Sequence, residues 1–432
     1  MSWGFQTDPE FQKKLDWIDK FVTEEVEPLE YALDCHPYDV TNAERNALVR
    51  PLQQQVRKQE LWACHLEPEL GGQGYGQLKL ALMNEILGRS SYGPIVFGCQ
   101  APDSGNAEVL AKYGTEFQKK KYLQPLLDNE IVSCFSMTEP QGGSDPKVFT
   151  ANAVLDGDHW VINGEKWFSS HAHLASFLIT MVVTDPDATP YNRLSTFIVP
   201  ADAPGIEMIR NMPHGMSKRP GHAYLRYNNV RVPKDHLLGP RGGGFVVAQT
   251  RLGGGRIHHA MRTLAQCQKA LSMMCERALS RYTQDSLLSE KQLVQAMIAD
   301  SWAEIEQFRL LLLQTAWKID HYQDYMKVRK DISAIKMLAP KVLHDVAARC
   351  LQIHGSLGIT PDMPITNLVL ESFHMGLADG PTEVHKITVA KQVLRNYRGT
   401  DGKFPTQYIP YREAEAAKKY PKAAESKKRA AQ

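Results

Sequence analysis

Apolar residues at Phe11, Leu15, Ile18, Phe21 and Val22 recur at spacings of three and four, which puts them on one helix face. Asp8-Pro9, just ahead of them, offers a capping carboxylate and a proline for the first turn. The runs LKLALMNEILGR and EFQKKKYLQPLL repeat that spacing, so residues 8 to about 130 read as helical, broken by the glycine-rich connection LEPELGGQGYGQ. From about 131 to 245 the pattern shortens. HWVING, FLITMVVT, STFIVP and AYLRYNNVRVP are β-branched and aromatic runs bounded by Gly, Pro, Asn and Asp, the signature of strands and turns. The helical period returns from about 246 to 397 in three long stretches, expected to begin near Arg256, Glu290 and Val328 and to form a bundle of antiparallel helices. The tail, REAEAAKKYPKAAESKKRAAQ, is polar and basic and reads as a frayed terminus.

The fold class is therefore mainly α with a central β-domain. The expected domains are residues 1–130 (helical), 131–245 (β), 246–400 (helical) and 401–432 (tail). Segregated helices and strands exclude a Rossmann sheet, which needs them to alternate. Hydrophobic residues make up 43% of the chain, enough for a sizeable core without disulfide or metal staples. A net charge of +2 gives no overall pull toward nucleic acid or a membrane surface. The cysteines, Cys35, Cys64, Cys99, Cys134, Cys267, Cys275 and Cys350, are scattered, odd in number and never Cys-x-x-Cys. That pattern argues against a zinc site or disulfide framework and fits a reducing compartment. MSWGFQTDPEFQKK lacks the apolar core of a signal peptide, no run has the length of a membrane span, and KKRAAQ is not a peroxisomal ending. A cytoplasmic enzyme with no metal is the expectation.

Five segments carry candidate chemistry. Cys134-Phe135-Ser136-Met137-Thr138-Glu139-Pro140-Gln141-Gly142-Gly143-Ser144-Asp145 ends a strand in a loop whose backbone N–H groups and hydroxyls suit an anionic or polar ligand. By themselves, its glycines read first as a plain turn between domains. Asn163-Gly164-Glu165-Lys166-Trp167-Phe168-Ser169-Ser170 is a turn followed by two aromatics and two hydroxyls. Tyr227–Pro233, with Leu237-Leu238-Gly239 and Gly242-Gly243-Gly244-Phe245 after it, reads as a strand and glycine turn before the second helical region. Gln352-Ile353-His354-Gly355-Ser356-Leu357-Gly358 closes a long helix, where a glycine C-cap is expected. Ala378-Asp379-Gly380-Pro381-Thr382-Glu383-Val384-His385 taken alone is an Asp-Gly turn before a helix.

In this order, over nearly the whole chain, these segments resemble the acyl-CoA dehydrogenase family. The resemblance implies an N-terminal helical bundle, a middle β-barrel or sandwich and a C-terminal four-helix bundle. The first segment resembles the family's Thr-Glu-Pro-x-x-Gly-Ser-Asp motif, and the last resembles a branch reading Ala-Asp-Gly-Pro-x-Glu-Val-His. Aligning Gly380 with the glycine of the more widespread Tyr-Glu-Gly-Thr makes Asp379 the catalytic base. Other members place a catalytic Glu where this chain has Gly255, which cannot ionise.

FAD is the implied cofactor, held by Phe135, Met137, Thr138, Gly143, Ser144, Phe168, Ser170, Arg281, Thr283, Gln352, Gly355 and Ser356. Phe168 and Ser170 stand where the family more often has Trp and Thr. Gln284 and Asp285 replace the Phe and Gly of an Arg-x-x-Phe-Gly motif, and Ser356 replaces a glycine. Ser144, Arg256 and Gly380 are the implied substrate contacts. An acyl-CoA substrate, an electron-transferring flavoprotein as electron acceptor, and a homodimer or homotetramer follow from the same resemblance. A flavin oxidase of this fold, acyl-CoA or nitroalkane oxidase-like, is an alternative. So is a non-catalytic DNA-binding relative, to which only the basic tail points.

The chemistry explains the parts. Desaturating a thioester removes a weakly acidic α-proton, which needs a positioned carboxylate, and a hydride, which needs a flavin. The enolate-like charge needs donors at the carbonyl oxygen. A free Asp titrates near 3.9, so the expectation is that burial under the substrate raises Asp379. One methylene less than Glu also leaves room for a substituted acyl group.

Overall fold

Asp8 accepts a 2.8 Å hydrogen bond from the Phe11 N–H and opens helix α1 (Pro9–Phe21). Phe11, Leu15, Ile18 and Phe21 are buried, as their spacing predicts. The computed structural model describes residues 7–213, 219–400 and 402–423. Helices α2 (Ala43–Lys58), α3 (Gly76–Leu87) and α4 (Asp103–Tyr113) complete the main helices of the N-terminal region.

Seven strands follow: β1 (Ser133–Ser136), β2 (Asn152–Asp156), β3 (His159–Ser170), β4 (Phe177–Val183), β5 (Leu194–Pro200), β6 (Ile206–Met212) and β7 (His222–Pro233). They form one mixed sheet in the order β1-β4-β2-β3-β7-β6, with β5 on the far side of β4. β1 runs parallel to β4, while β3 pairs antiparallel with β7. Strand β4 is buried throughout, so its continuous apolar run FLITMVV reads as a doubly covered strand. On β7 burial alternates, which matches its alternating sequence.

The second helical region consists of α5 (Gly244–Ser280), α6 (Gln292–Tyr322), α7 (Arg329–His354), α8 (Ile365–Leu377) and α9 (Thr382–Leu394). Helix α5 does not begin near Arg256. It starts at Gly244 and runs 37 residues straight through Gly253-Gly254-Gly255. A helical glycine costs about 1 kcal/mol relative to Ala. Burial of Ile257, Met261, Leu264 and Met274 on the same helix offsets that, since each large apolar side chain contributes about 1.5–3 kcal/mol. The glycines are there because neighbours come close: a Cβ on Gly253 would lie 3.0 Å from the Tyr325 ring.

The core is continuous between the two helical regions. Leu15, Val49 and Leu87 belong to the same apolar cluster as Leu264, Phe308 and Leu343. A separate cluster built around Trp160, Phe197, Leu225 and Val232 fills the sheet. A third, with Val109, Leu110, Phe177, Ile198 and Val247, ties α4 and α5 to the sheet. This last seam puts helix α5 against both α4 and the ends of the strands, where the candidate residues lie.

These elements form one unit through Lys386, and a second unit begins at Ile387. Within the second, Ile409–Lys419 is helical (α10) rather than frayed. Phe404 stacks on Tyr408 at 4.2 Å and Tyr411 meets Tyr408 edge-on at 5.1 Å. The MSWGFQ start and the basic KKRAAQ end lie outside the described residues. No described helix is long and apolar enough to cross a membrane.

Candidate active site

Asp379 sits in the turn between α8 and α9 with φ 54°, followed by Gly380 at φ 108°. Both are in the left-handed region, which Asp tolerates better than most residues. Such a conformation costs about 1–3 kcal/mol and persists only where the surroundings impose it. Here helix α5 imposes it. Arg251, Gly255 and His259 are four residues apart and therefore share one face.

Arg251 Nη1 donates to Asp379 Oδ1 at 2.9 Å. His259 Nε2 stands 3.4 Å from Oδ2, beyond good hydrogen-bond length. Oδ2 is buried and has no hydrogen-bond partner among the described residues. A Cβ on Gly255 would come 2.7 Å from that oxygen. Arg256 Nε donates to the Asp379 backbone carbonyl at 2.9 Å, so Arg256 holds the main chain at Asp379. From α7 the buried Lys336 donates to the Met375 carbonyl, beside the same turn.

Burial pushes the Asp379 carboxyl up, but the Arg251 guanidinium, then His259 and Arg256, outweigh it and hold it well below the usual carboxylate range. Burial thus acts in the expected direction, and the cations of α5 oppose it. Burial lowers His259, with Asp379 countering, and lowers Lys336 to about 8. His385, whose Nε2 would lie 3.0 Å from a Cβ on Gly380, is brought down to about 4 by burial and by Arg256.

A second carboxylate shares this pocket. Glu108 of α4 is pushed up to about 7 by burial, with Arg251 and Lys112 opposing. A Cβ on Gly254 would meet Glu108 Oε2 at 3.0 Å, and one on Gly105 would meet Arg251 Cγ at 3.2 Å. The Arg251 guanidinium also lies 4.8 Å from the centre of the Phe135 ring, which joins the first motif to the Asp379 pocket.

The first two motifs meet on β1 and β3. Ser136 Oγ and Ser169 Oγ are 2.9 Å apart, and Trp167 N–H donates to the Thr138 carbonyl at 3.0 Å. Lys166, fully buried, donates to the Met137 carbonyl and to Glu139 Oε1, both at 2.8 Å. Glu139 also accepts from the Thr150 and Ala151 N–H groups, fixing the Gly142-Gly143-Ser144 loop. In that loop Ser144 is exposed with φ 59°, and a Cβ on Gly143 would meet nothing within 4 Å. Phe168 is 50% exposed with φ 50°, and Ser170 Oγ lies 2.9 Å from His222 Nδ1.

Arg281 and Thr283 lie elsewhere, at a hairpin whose two turn residues, Gln284 and Asp285, have φ 48° and 62°. Those angles suit a type I′ turn. Gln352, Gly355 and Ser356 are exposed at the end of α7, where the Gly355 N–H caps the helix as expected. Neither group makes a hydrogen bond or ring contact with the Asp379 pocket among the described residues. Sequence reasoning missed Arg251, His259, Glu108, Lys336 and the Glu139–Lys166 pair. The i, i+4, i+8 spacing of residues 251, 255 and 259 was a usable signal, hidden by starting the helix at Arg256.

Helices before and after a mixed sheet, with a buried, cation-held carboxylate beside a Thr-Glu-Pro loop, define a class of flavoprotein-like oxidoreductase architecture. Family models agree across the chain: the acyl-CoA dehydrogenase N-terminal domain matches residues 8–130, the middle domain 134–230 and the C-terminal domain 242–394. The chain belongs to the acyl-CoA dehydrogenase family. Mycobacterium tuberculosis FadE2, described as an acyl-CoA dehydrogenase, is 38% identical over 390 residues, covering 89% of this chain and 95% of that one. Mouse acyl-CoA dehydrogenase family member 11 is 37% identical over 402 residues, but the match spans only 50% of its length. A Mycobacterium abscessus protein of known structure superposes with a TM-score of 0.84 at 37% identity, covering 91% of this chain and all of that one.

Proposed function

We propose that the chain catalyses the FAD-dependent α,β-dehydrogenation of an acyl-CoA thioester, with Asp379 as catalytic base. One observation carries the reading: Asp379 presents a largely buried carboxylate anchored through Oδ1, with Oδ2 free of any hydrogen bond, 3.4 Å from His259 Nε2 and beside a helix face kept clear by Gly255. An oxygen in that state can take a proton without first breaking a hydrogen bond. Asp379 Oδ2 receives the α-proton, and Arg256 keeps the turn that carries it in place. Ser144, Arg256 and Gly380 bind the acyl-CoA in this reading. A family neighbour, glutaryl-CoA dehydrogenase in its glutaryl-CoA complex, shares 25% identity with a TM-score of 0.77 and supports a thioester substrate.

The residues present fit a flavin. The half-exposed Phe168 ring offers an aromatic face, Ser170 offers a hydroxyl, and the open Gly143-Ser144 loop offers backbone donors for a polar edge. Phe135, Met137 and Thr138 line the same β1–β3 end. FAD, when bound, supplies the hydride acceptor that no side chain provides. Arg281, Thr283, Gln352, Gly355 and Ser356, distant from this end of the site, go with a homodimer or homotetramer in which they reach a neighbour's cofactor. An electron-transferring flavoprotein completes the cycle. Anaerobic bleaching of the bound flavin across an acyl-CoA panel tests the reading. Bleaching by at least one member is expected, and none across short, medium and long chains would count against it. Rapid reoxidation by air would turn the reading toward an oxidase.

A further inference from the structure

Lys336, Arg256 and His385 reach the turn that carries Asp379 from three different helices, α7, α5 and α9. Lys336 donates to the Met375 carbonyl just ahead of the turn, and Arg256 donates to the Asp379 carbonyl within it. His385 differs from both. It is 2% exposed, and its Nε2 is buried with no hydrogen-bond partner among the described residues. A buried polar atom left so is costly, and an apolar side chain would fill a plain core position better. What the imidazole meets is the turn itself. Its Nε2 would lie 3.0 Å and its Cε1 3.6 Å from a Cβ on Gly380, and Arg256 Nη2 would lie 3.9 Å from the same point. Gly380 has φ 108°, a conformation that only glycine adopts readily. The ring therefore takes the space that the glycine leaves, one residue after Asp379.

We propose that His385 is a positioning residue, whose imidazole packed against Gly380 sets where the Asp379 carboxylate stands. This rests on Asp379 being the base. The left-handed residues Asp379 and Gly380 keep their conformation only because their surroundings impose it. Hydrogen bonds from Arg256 and Lys336 draw the turn toward α5 and α7. They do not stop Gly380 from settling inward, and a ring in contact with it does. In a close-packed interior such a contact passes a displacement on rather than absorbing it. Burial first, then Arg256 and Lys336, bring the imidazole to about 4, with the Asp379 and Gly380 carbonyls opposing. The ring is therefore neutral at neutral pH and does not repel the guanidinium that holds the Asp379 carbonyl.

Without the ring, Gly380 loses its support and the turn sinks into the vacated space. Asp379 Oδ2 then stands off from the reacting proton, and a misplacement of about 1 Å costs about a hundredfold in rate. Binding of the acyl-CoA, spread over contacts away from this turn, changes far less. A residue that served only to stabilise the fold would not separate rate from binding in this way. A glutamine, with a flat polar end of similar reach, fills the same space.

The test is the limiting rate of anaerobic flavin bleaching by butyryl-, octanoyl- and palmitoyl-CoA, on FAD-loaded enzyme held well below its melting temperature. His385→Ala should lower that rate about a hundredfold and shift the half-saturating concentration by no more than about threefold. His385→Gln should bring the rate back to within about threefold of wild type. A double-mutant cycle isolates the contact. Gly380→Ala places a methyl 3.0 Å from Nε2, and in the His385→Ala background that crowding is gone. The strain of a side chain at φ 108° is common to both backgrounds and cancels. Gly380→Ala should therefore cost about tenfold less in rate beside His385→Ala than in wild type. Melting temperatures, which need no substrate, should show the same coupling. Independent effects of the two substitutions on both readouts overturn the proposal. So does a His385→Ala enzyme that bleaches at the wild-type rate, or one whose half-saturating concentration rises as far as its limiting rate falls. Near-normal bleaching by Asp379→Asn overturns the base assignment instead. An inert Asp379→Asn beside an unaffected His385→Ala keeps the base and removes only the positioning role.

Discussion

Two carboxylate–cation pairs, the fully buried Glu139–Lys166 and the largely buried Asp379–Arg251, differ in how completely they are satisfied. Glu139 Oε1 accepts from Lys166 and the Ala151 N–H, and Oε2 accepts from the Thr150 N–H and the Gln141 amide. Burial raises Glu139, but Lys166 overrides it and holds the carboxyl below its ordinary value. Asp379 has one oxygen bonded and one without a hydrogen bond, 3.4 Å from His259 Nε2. A saturated buried pair has no spare lone pair aimed at a ligand and serves the backbone around it. A half-saturated one keeps an acceptor available where a reacting proton can arrive. In sequence the two are alike, each an acidic residue in a turn-forming motif. The difference is visible only in the hydrogen bonds around them.

The sharpest way to break the comparison is to neutralise each acid. Asp379→Asn should lower the rate of flavin reduction by about a thousandfold, within the range of lost general-base catalysis, while keeping FAD and fold. Lys166→Met should do the reverse. Leaving Glu139 charged and unpaired costs about 3–5 kcal/mol, read as a large fall in melting temperature and loss of FAD retention. A variant enzyme that melts normally with Lys166 removed would dissolve the distinction.

Gly255→Ala probes the oxygen without a hydrogen bond. The new methyl would sit 2.7 Å from Asp379 Oδ2, so the carboxylate must move. Bleaching should slow about tenfold or more, since misplacement of order 1 Å carries that cost. The melting temperature should hold or rise, because Ala favours a helix over Gly by about 1 kcal/mol. The smallest effect is at low pH. Asp379 is depressed on folding, so it stabilises above its unfolded value and that stabilisation is lost as pH falls through the folded one. Asp379→Asn should therefore flatten the acid limb of the stability curve below about pH 4.

The local patterns were legible because local physics produces them. Asp8 caps α1, Phe11 and Leu15 are buried, and the run FLITMVV forms strand β4, all as periodicity and β-branching indicate. The motif around Asp379 could likewise be recognised from the resemblance. What periodicity could not reveal was that α5 passes unbroken through three glycines. Glycine is a poor helix former on its own, and only the neighbouring Tyr325, Glu108 and Asp379 explain why a side chain is excluded at each. The electrostatic setting of Asp379 was also decided in three dimensions. Arg251 and Asp379 are 128 residues apart, and no local rule links them. The sequence by itself determined the elements, the order of the regions and the acid in the turn. Tertiary packing decided which acid is saturated and which keeps a free oxygen, because hydrogen-bond partners and dielectric are properties of the folded surroundings.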